Sequence, residues 1–408
     1  MTSKIQPVFI VGTGRCGSTM LSNMIRDHSG ILSVSEFLVS VTDFAGRIAK
    51  TFPEGRPVDA HHVWDVLAGF HPRQTVMLRH GVEMDEMLYP LASTSRFTRQ
   101  TGVPAILYVT LPHLTPDHDT LFDELHDYVM TFQPDLAFRQ YVRVFEWLMA
   151  RFGKQTWVER SGGSLRAVPR LAKSLPGARF IHIVRDGRDC AISMSKHTGF
   201  RMMMACTIMN QVLGYDPYET EERTGVEDLP DQFYHLLPEH FSSQAFANLD
   251  APADLFGHYW SGEMMRGLKA LDELSRDRVL TIHFEDILAQ PEPCLRRMVE
   301  FIDPSLADGG WVRRAAGTIR PARSSWRALP AARQSALTDA CAPGFQALSR
   351  YGFQRDPDAV PPSTPWFAGL RQKVRQATTL TKFVGVRPAL ALAKSRLRRA
   401  GTAAVSPV

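Results

Sequence analysis

The stretch that decides the fold is Pro7-Val8-Phe9-Ile10-Val11-Gly12-Thr13-Gly14-Arg15-Cys16-Gly17-Ser18-Thr19. A short apolar segment leads into a glycine-rich turn, and apolar residues at helical spacing follow the turn, namely Met20, Leu21, Met24 and Ile25. A strand, a glycine-rich turn and a helix in this order direct backbone N–H groups and the positive end of the helix dipole at one point. The stretch therefore predicts an anion-binding loop after the first strand.

The cation of this loop differs from that of a nucleotide-triphosphate loop. The spacing from Gly12 to Gly17 matches the G-x-x-x-x-G pattern, but Ser18 stands where that motif has its lysine. This difference disfavours an ordinary ATPase or kinase. Arg15 lies inside the loop, and its planar guanidinium could hold two oxygens of a 5′-phosphate. The alternative is a ligand-free turn with a solvated arginine, but the position between a strand and an apolar-faced helix favours binding.

Four further β-rich segments predict the rest of the sheet, at residues 31–34, 156–158, 180–184 and 279–284. Most of them precede amphipathic helical patterns, such as the apolar positions Leu295, Met298, Val299 and Ile302. Strands that alternate with such helices favour an α/β fold with a central parallel sheet flanked by helices.

Two long segments interrupt this alternation, at about residues 40–150 and 197–275, and we expect them to wall the ligand crevice. The methionines at 202, 203, 204 and 209 are predicted to fill core rather than to bind a ligand. The predicted organisation is a catalytic domain over residues 1–355, a proline-rich linker at 356–365 and a basic tail at 366–408.

A second anion-binding element is predicted where the fourth strand ends. Arg185 follows that strand, and Ser193 lies eight residues later on the predicted helix. The carboxyl ends of parallel strands meet at one edge, so Arg185 should face the same crevice as the first loop and clamp a second phosphate with Ser193. The alternative is a polar turn in which Arg-Asp-Gly-Arg-Asp pairs its own charges.

Composition excludes several protein classes. The 408 residues carry a net charge of +5, but residues 359–408 hold nine Lys or Arg and no acid, which leaves 38 basic against 42 acidic residues before them. A body of this charge is not a nucleic-acid binder. The five cysteines are scattered, no Asn-X-Ser/Thr sequence occurs and no apolar stretch is long enough to span a bilayer, so we expect cytoplasmic residence.

The loop at 12–19 and the segment at 183–193 resemble, in sequence and in order, the two phosphate-binding elements of sulfotransferases that use 3′-phosphoadenosine 5′-phosphosulfate. Residues 283–288 resemble that family's Tyr-Glu-Asp-Leu segment, and Ser324-Ser325-Trp326 resembles its late Ser-Ser-Trp element. The likeness covers about residues 5–36, 156–196 and 278–327. It implies a P-loop-like sulfotransferase fold with long helical insertions.

The resemblance also implies residue roles. The 5′-phosphosulfate would be held by Gly14, Arg15, Cys16, Gly17, Ser18 and Thr19, and the 3′-phosphate side by Arg185 and Ser193, with Ser325 nearby. The donor would leave as adenosine 3′,5′-bisphosphate. Sulfuryl transfer is expected to depend on positioning and charge stabilisation without a metal.

The acceptor proton needs a base, and three residues are candidates. Glu36 is favoured over His113 and His28 because its distance after Arg15 is similar to that of the base in the tyrosylprotein sulfotransferase branch. A surface carboxylate or a helix cap is the alternative role for Glu36, and His28 is expected to be a packing or capping residue. Relatives commonly carry Lys-Thr-Pro or Lys-Asp-Pro where this chain has Arg160-Ser161-Gly162, so Arg160 is predicted to replace that lysine as a charge stabiliser.

Two other functions remain open from the sequence, a metal-dependent phosphotransferase with a degenerate loop and a catalytically silent nucleotide-binding module. The acceptor is an alcohol whose class the sequence leaves open among sugar, lipid, peptide and small molecule. The basic tail, with Trp366, Phe367, Leu370 and Val374 at helical spacing, predicts either peripheral contact with an anionic membrane or a solvated extension.

Overall fold

A five-stranded parallel sheet forms the centre of the computed structural model, which describes residues 6–43, 46–320 and 326–353. The strands of the protein are β1 (Val8–Val11), β2 (Ile31–Ser35), β3 (Pro57–Val58), β4 (Asp135–Leu136), β5 (Thr156–Arg160), β6 (Arg179–Val184) and β7 (Val279–His283). The strand order of the central sheet is β2-β5-β1-β6-β7, and all pairings in it are parallel. The five strands predicted from the sequence are those of the central sheet, within two residues of their expected bounds, and the predicted α/β class is confirmed.

Helices flank the sheet and also form most of the secondary structure in the two insertions. The described residues contain α1 (Ser18–Arg26), α2 (Phe37–Thr42), α3 (Ile48–Thr51), α4 (Ala60–Leu67), α5 (Pro72–Arg79), α6 (Ala105–Tyr108), α7 (Thr110–Leu114), α8 (His118–Val129), α9 (Ala137–Arg151), α10 (Val168–Ser174), α11 (Gly187–Lys196), α12 (Thr198–Leu213), α13 (Asp231–Tyr234), α14 (Ser243–Asn248), α15 (Ala253–Asp272), α16 (Phe284–Ala289), α17 (Pro291–Ile302), α18 (Gly309–Gly317) and α19 (Ala331–Arg350). Among these helices, none combines the length and the hydropathy needed to cross a membrane.

The central strand β1 is apolar along its whole length, as expected for a parallel strand in a sheet whose two faces are covered. All four residues of β1 are buried, and an aromatic layer joins it to its neighbours. The Phe9 ring packs edge-on against Trp157 of β5 at 5.7 Å and stacks with Phe180 of β6 at 5.9 Å between ring centroids. These contacts hold the three strands that carry the loops of the site.

The helical patterns read from the sequence correspond to buried faces. α17 buries Leu295, Met298, Val299 and Ile302, the four positions that the spacing predicted. In the second insertion Met202, Met204 and Met209 are buried, which confirms their predicted core role, whereas Met203 is half-buried. The first insertion holds α3 to α9 and the antiparallel pair β3–β4, and the second holds α12 to α15. The predicted linker and tail lie outside the described residues.

The topology gathers the predicted site residues at one edge of the sheet. β1 lies between β5 and β6, and Arg160 at the end of β5 is level with Ile10 of β1 and Ser35 of β2. Glu36 and Arg185 directly follow β2 and β6. Because these strands are parallel, their carboxyl ends and the loop after β1 face one crevice.

Candidate active site

The loop after β1 has a conformation that demands glycine at two positions. Gly14 and Gly17 adopt φ angles of 90° and 91°, and a Cβ at these residues would lie 2.4 Å from the Phe200 ring and 2.3 Å from the Phe284 ring. Arg15 adopts a positive φ of 55°, which costs a non-glycine residue roughly 1–3 kcal/mol. The surrounding aromatic rings therefore fix a loop that the chain would not adopt alone.

The amino end of α1 is suited to bind an anion. No side chain caps this end, and no acidic residue occurs in its first turn. Ser18 and Thr19, the first two residues of the helix, line a cleft of about 400 Å³. Backbone N–H groups and the helix dipole therefore point at the cleft without an internal anion to satisfy them.

Two of the predicted loop residues do not line the cleft with their side chains. Cys16 is buried, and its Sγ lies close to Gly12. Burial raises the pKa of this thiol, although backbone hydrogen bonds partly oppose the shift, so the thiol stays neutral. Gly14 packs under Phe200. Any contact of these two residues with a ligand in the cleft would have to come from the backbone.

The two predicted anion-binding elements are joined by direct hydrogen bonds. Arg15 Nε donates to Ser193 Oγ at 3.0 Å, and Arg185 Nη1 donates to the Arg15 carbonyl oxygen at 3.1 Å. The Arg185 guanidinium also lies over the Phe284 ring, 4.6 Å from its centroid. Arg15, Arg185 and Ser193 all line the same cleft. Two guanidinium groups from separate strands are thus held at one site.

The segment after β6 also contains the self-paired charges of the alternative interpretation. Arg188 is buried and pairs with Asp186, with Nη2 2.6 Å from Oδ2, and it stacks on the Trp326 ring at 3.7 Å. Asp186 Oδ1 caps α11 by accepting from the Arg188 backbone N–H. Arg185 lines the cleft and Arg188 does not. The predicted anion site therefore describes the position of Arg185, and the alternative polar turn describes that of Arg188.

Glu36 is a buried carboxylate in the wall of the cleft. It follows β2 with a positive φ of 54°, and its side chain makes no capping hydrogen bond, so neither a surface carboxylate nor a side-chain helix cap describes it. Its Oε1 pairs with Arg160 Nη1, and its Oε2 accepts from the Gly162 backbone N–H at 2.9 Å. Burial raises the pKa of Glu36, and the charge of Arg160 partly opposes that shift.

Arg160 is fixed by two neighbours from β2 and the segment after it. Its guanidinium is almost completely buried, and besides Glu36 it donates from Nη2 to Ser35 Oγ at 2.8 Å. Arg160 also lines the cleft. In this arrangement its nearest charged partner is Glu36, so it holds and orients that carboxylate.

A second buried carboxylate, Glu159, lies beside this pair but does not line the cleft. Its Oε1 accepts from Ser161 Oγ at 2.5 Å and from the Leu38 backbone N–H at 3.2 Å. Burial raises the pKa of Glu159 to about 8, so the carboxyl is mostly protonated at neutral pH. The hydrogen-bond partners of Glu159 are a hydroxyl and a backbone amide, whereas Glu36 forms an ion pair with a buried arginine.

The insertions complete the cleft, and among their lining residues the sequence identified only His113. Glu86 accepts from Arg15 Nη1 at 2.7 Å and from His197 Nε2 at 2.6 Å. Although burial would raise the pKa of Glu86, the hydrogen bond from His197 and the charge of Arg15 lower it below its usual value. No motif marks Glu86, because its contacts come from loops distant in sequence. The lining from the insertions is Asp85, Glu86, Leu88, Val109, His113 and Phe200.

The two histidine candidates for a base have different surroundings. His28 is buried away from the cleft, where Nε2 contacts the Leu306 carbonyl oxygen and Nδ1 accepts from Gly30 N–H, as expected for a packing residue. His113 lines the cleft, and Nε2 lies 3.2 Å from Ser33 Oγ. Burial lowers the pKa of His113 to about 3, so the ring is neutral. Ser325 lies outside the described residues.

The described part of the chain contains no group of three or more His, Cys, Asp or Glu side chains placed to hold a metal ion. The cleft offers arginine side chains, hydroxyls and backbone amides, together with the buried carboxylate of Glu36 and the less buried carboxylates of Asp85 and Glu86. This combination can bind an anionic ligand and accept a proton next to it.

The sequence model of the sulfotransferase family matches residues 7–249, which is more than half of the chain. The chain belongs to the sulfotransferase family, and the predicted resemblance is confirmed. A comparison with curated proteins gave no match.

Several solved structures are similar to this chain. The sulfotransferase from Alicyclobacillus acidocaldarius is 17% identical, with 88% of this chain and 99% of that chain covered and a TM-score of 0.36. Sulfotransferase STF9 from Mycobacterium avium is 14% identical, with 85% and 77% covered and a TM-score of 0.41. The sulfotransferase domain from the curacin biosynthetic pathway is 13% identical, with 87% and 100% covered and a TM-score of 0.37. The family assignment rests on the sequence match rather than on these low scores.

Proposed function

We propose that this sulfotransferase takes its sulfuryl group from 3′-phosphoadenosine 5′-phosphosulfate and transfers it to an acceptor hydroxyl. The observation that carries the proposal is that Arg15 and Arg185, from two different strands, line one cleft beside the uncapped end of α1. Such a cleft fits one ligand with two separate anionic groups. A triphosphate would instead call for the lysine that Ser18 replaces.

In this proposal the residues around the loop bind the donor. Arg15, Ser18, Thr19 and the backbone amides from Gly14 to Thr19 hold the 5′-phosphosulfate, while Arg185 and Ser193 hold the 3′-phosphate. Charge-assisted hydrogen bonds from guanidinium to phosphate are among the stronger ones in proteins. The donor supplies the sulfuryl group, and the leaving group is adenosine 3′,5′-bisphosphate. The same loop residues stabilise the charge that develops on the leaving oxygen.

Glu36 is the proposed general base. The acceptor oxygen forms a bond to sulfur, the bond from sulfur to the phosphate oxygen breaks, and Glu36 accepts the proton of the hydroxyl group. Both carboxylate oxygens already accept one hydrogen bond, from Arg160 and from Gly162, and each retains a further lone pair. Arg160 orients the buried carboxylate, favours its ionised form against the effect of burial, and adds positive charge to the cleft.

The experiment for this proposal compares two nucleotides as ligands and tests a third as the sulfuryl donor. Adenosine 3′,5′-bisphosphate should bind more tightly than ATP with magnesium, and the phosphosulfate donor should release adenosine 3′,5′-bisphosphate when an alcohol is added, with or without EDTA. Tighter binding of ATP with magnesium would favour the phosphotransferase alternative. Binding of the bisphosphate without turnover across a broad set of alcohols would favour the silent module.

A further inference from the structure

An apolar groove lies beside Gly162, the residue whose backbone N–H donates to Glu36. Gly162 and Phe200 line both the main cleft and this groove, so the two spaces adjoin at these residues. Phe52 and Phe138 stack in its wall with ring centroids 4.2 Å apart. The groove is defined here by Leu38, Val39, Ile48, Phe52, Phe138 and Met203.

The inner end of the groove is the point where an acceptor would react. The Gly162 N–H donates to Glu36 Oε2, and a Cβ at Gly162 would lie only 3.4 Å from Glu36 Oε1. A ligand that passes over this bare glycine therefore comes close to the carboxylate. Its hydroxyl group would lie at Glu36 while the rest of the molecule follows the groove.

Most polar side chains along the groove are already bonded within the protein. The exception is Arg170, whose Nη2 donates to Glu54 at 3.3 Å while its buried Nη1 has no hydrogen-bond partner. Thr42 Oγ1 donates to the Leu38 carbonyl oxygen at 2.6 Å, and Ser164 Oγ donates to the Ser161 carbonyl oxygen at 2.8 Å. Arg166 Nε donates to the fully buried Glu263 at 2.7 Å and Nη2 contacts Tyr259 Oη at 3.4 Å. A polyhydroxylated ligand would leave water here and regain few of its hydrogen bonds, whereas hydrocarbon would gain by burial.

We infer that the acceptor is an alcohol carried on an apolar body, such as an aliphatic chain, and that this body occupies the apolar groove. The inference rests on the proposed function, because it uses Glu36 as the reacting end. It selects one acceptor class from the four that the sequence left open. Sugars are excluded as preferred acceptors because the groove offers them too few unsatisfied partners.

Primary alcohols of increasing length provide the first test. From hexanol to decanol, kcat/KM for sulfation should rise by roughly fourfold per methylene until the groove is filled, the factor that corresponds to burying one CH₂ group. Methyl glucoside, which carries several hydroxyls on a polar body, should be a poor acceptor. A flat series or a preference for the glucoside would overturn the inference.

Binding to the groove can be measured without the nucleotide, through displacement of the neutral fluorescent probe N-phenyl-1-naphthylamine by decanol. Met203→Glu places a charge in the half-buried wall of the groove and should lower decanol affinity by at least tenfold. Met265→Glu makes the same chemical change at an exposed methionine of α15 and should leave decanol affinity unchanged. Equal affinity in all three proteins would contradict the groove assignment, provided that melting temperatures agree.

The outcomes separate this inference from the proposed function. If decanol binds in the groove but no alcohol is sulfated, the groove assignment stands and the proposed function fails. If the bisphosphate nucleotide binds and the glucoside is sulfated while decanol does not bind, the function stands and the acceptor class is wrong. Failure of both nucleotide and decanol binding would contradict both.

Discussion

The two walls of the cleft differ in how the chain builds them. The sheet-end wall (Arg15, Ser18, Thr19, Arg185 and Ser193) comes from short segments that directly follow parallel strands. The insertion wall (Asp85, Glu86, Leu88, Val109, His113 and Phe200) comes from loops and helices between those strands. Glu36 and Arg160 lie where the two walls meet.

The sheet-end wall follows a general rule for anion binding, whereas the insertion wall depends on contacts particular to this chain. A strand that ends in a glycine-rich turn and a helix binds an anion for reasons of backbone geometry, so its sequence pattern is short and recognisable. The insertion wall is held by contacts such as Glu86 with His197, which are 111 residues apart. Donor binding should therefore depend on the sheet-end wall, and the choice of acceptor on the insertions.

Removing the proposed base should have the largest effect. Glu36→Gln is expected to lower kcat on the order of 10²–10⁴-fold, because the acceptor hydroxyl loses the group that takes its proton. The affinity for adenosine 3′,5′-bisphosphate should stay within a few-fold of that of the unmodified protein. Both are measured by steady-state kinetics and nucleotide titration.

Glu159→Gln is the matched control, since Glu159 is an adjacent buried carboxylate that does not line the cleft. Its pKa of about 8 means that the amide resembles the protonated form already present at neutral pH. Activity close to that of the unmodified protein is expected. If Glu159→Gln lowered kcat as much as Glu36→Gln does, the loss would reflect a general disruption of the site by changes at either buried carboxyl group, and Glu36 would not be identified as the base.

The pH profile should reveal the role of Arg160 at the junction of the walls. Burial raises the pKa of Glu36 and Arg160 lowers it, so Arg160→Gln should raise that pKa further, by roughly 1–3 units. The base works only when ionised, so the acid limb of kcat/KM should move to higher pH and activity should recover above it. An acid limb that stays in place in a variant with an unchanged melting profile would remove Arg160 from this role.

A substitution in the insertion wall should have a smaller effect than those above, and it should strengthen donor binding. Glu86 occupies Arg15 Nη1 in a partly exposed ion pair. Glu86→Gln removes a negative charge from beside the donor site and should tighten binding of adenosine 3′,5′-bisphosphate by about two- to fivefold, the range for such pairs. Weaker binding would mean that Glu86 orients Arg15 productively instead of competing for it.

The sequence predicted the sheet and the sheet-end wall well, because both follow from local patterns. The five strands followed from short apolar segments and the apolar face of α17 from helical spacing. The shared edge of Arg15 and Arg185 followed from the rule that parallel strands end together, and the family resemblance decided between an anion site and a polar turn at Arg185. The sequence could not predict that Arg160 is the partner of Glu36, because their contact depends on the register in which β2 pairs with β5. Glu86 and Phe200 follow from tertiary packing of the insertions and left no local pattern.

The central claim is that one cleft holds two separate anionic groups of one nucleotide. It is tested by the affinity of adenosine 3′,5′-bisphosphate relative to adenosine 5′-monophosphate, measured on the unmodified protein, on Arg185→Ala and on Arg179→Ala. Arg179 starts the same strand at its opposite end, so it serves as the control. A charge-assisted contact of about 1.5–3 kcal/mol predicts a preference for the bisphosphate of roughly 10- to 150-fold, lost in Arg185→Ala and kept in Arg179→Ala. An unchanged preference in Arg185→Ala would contradict the claim.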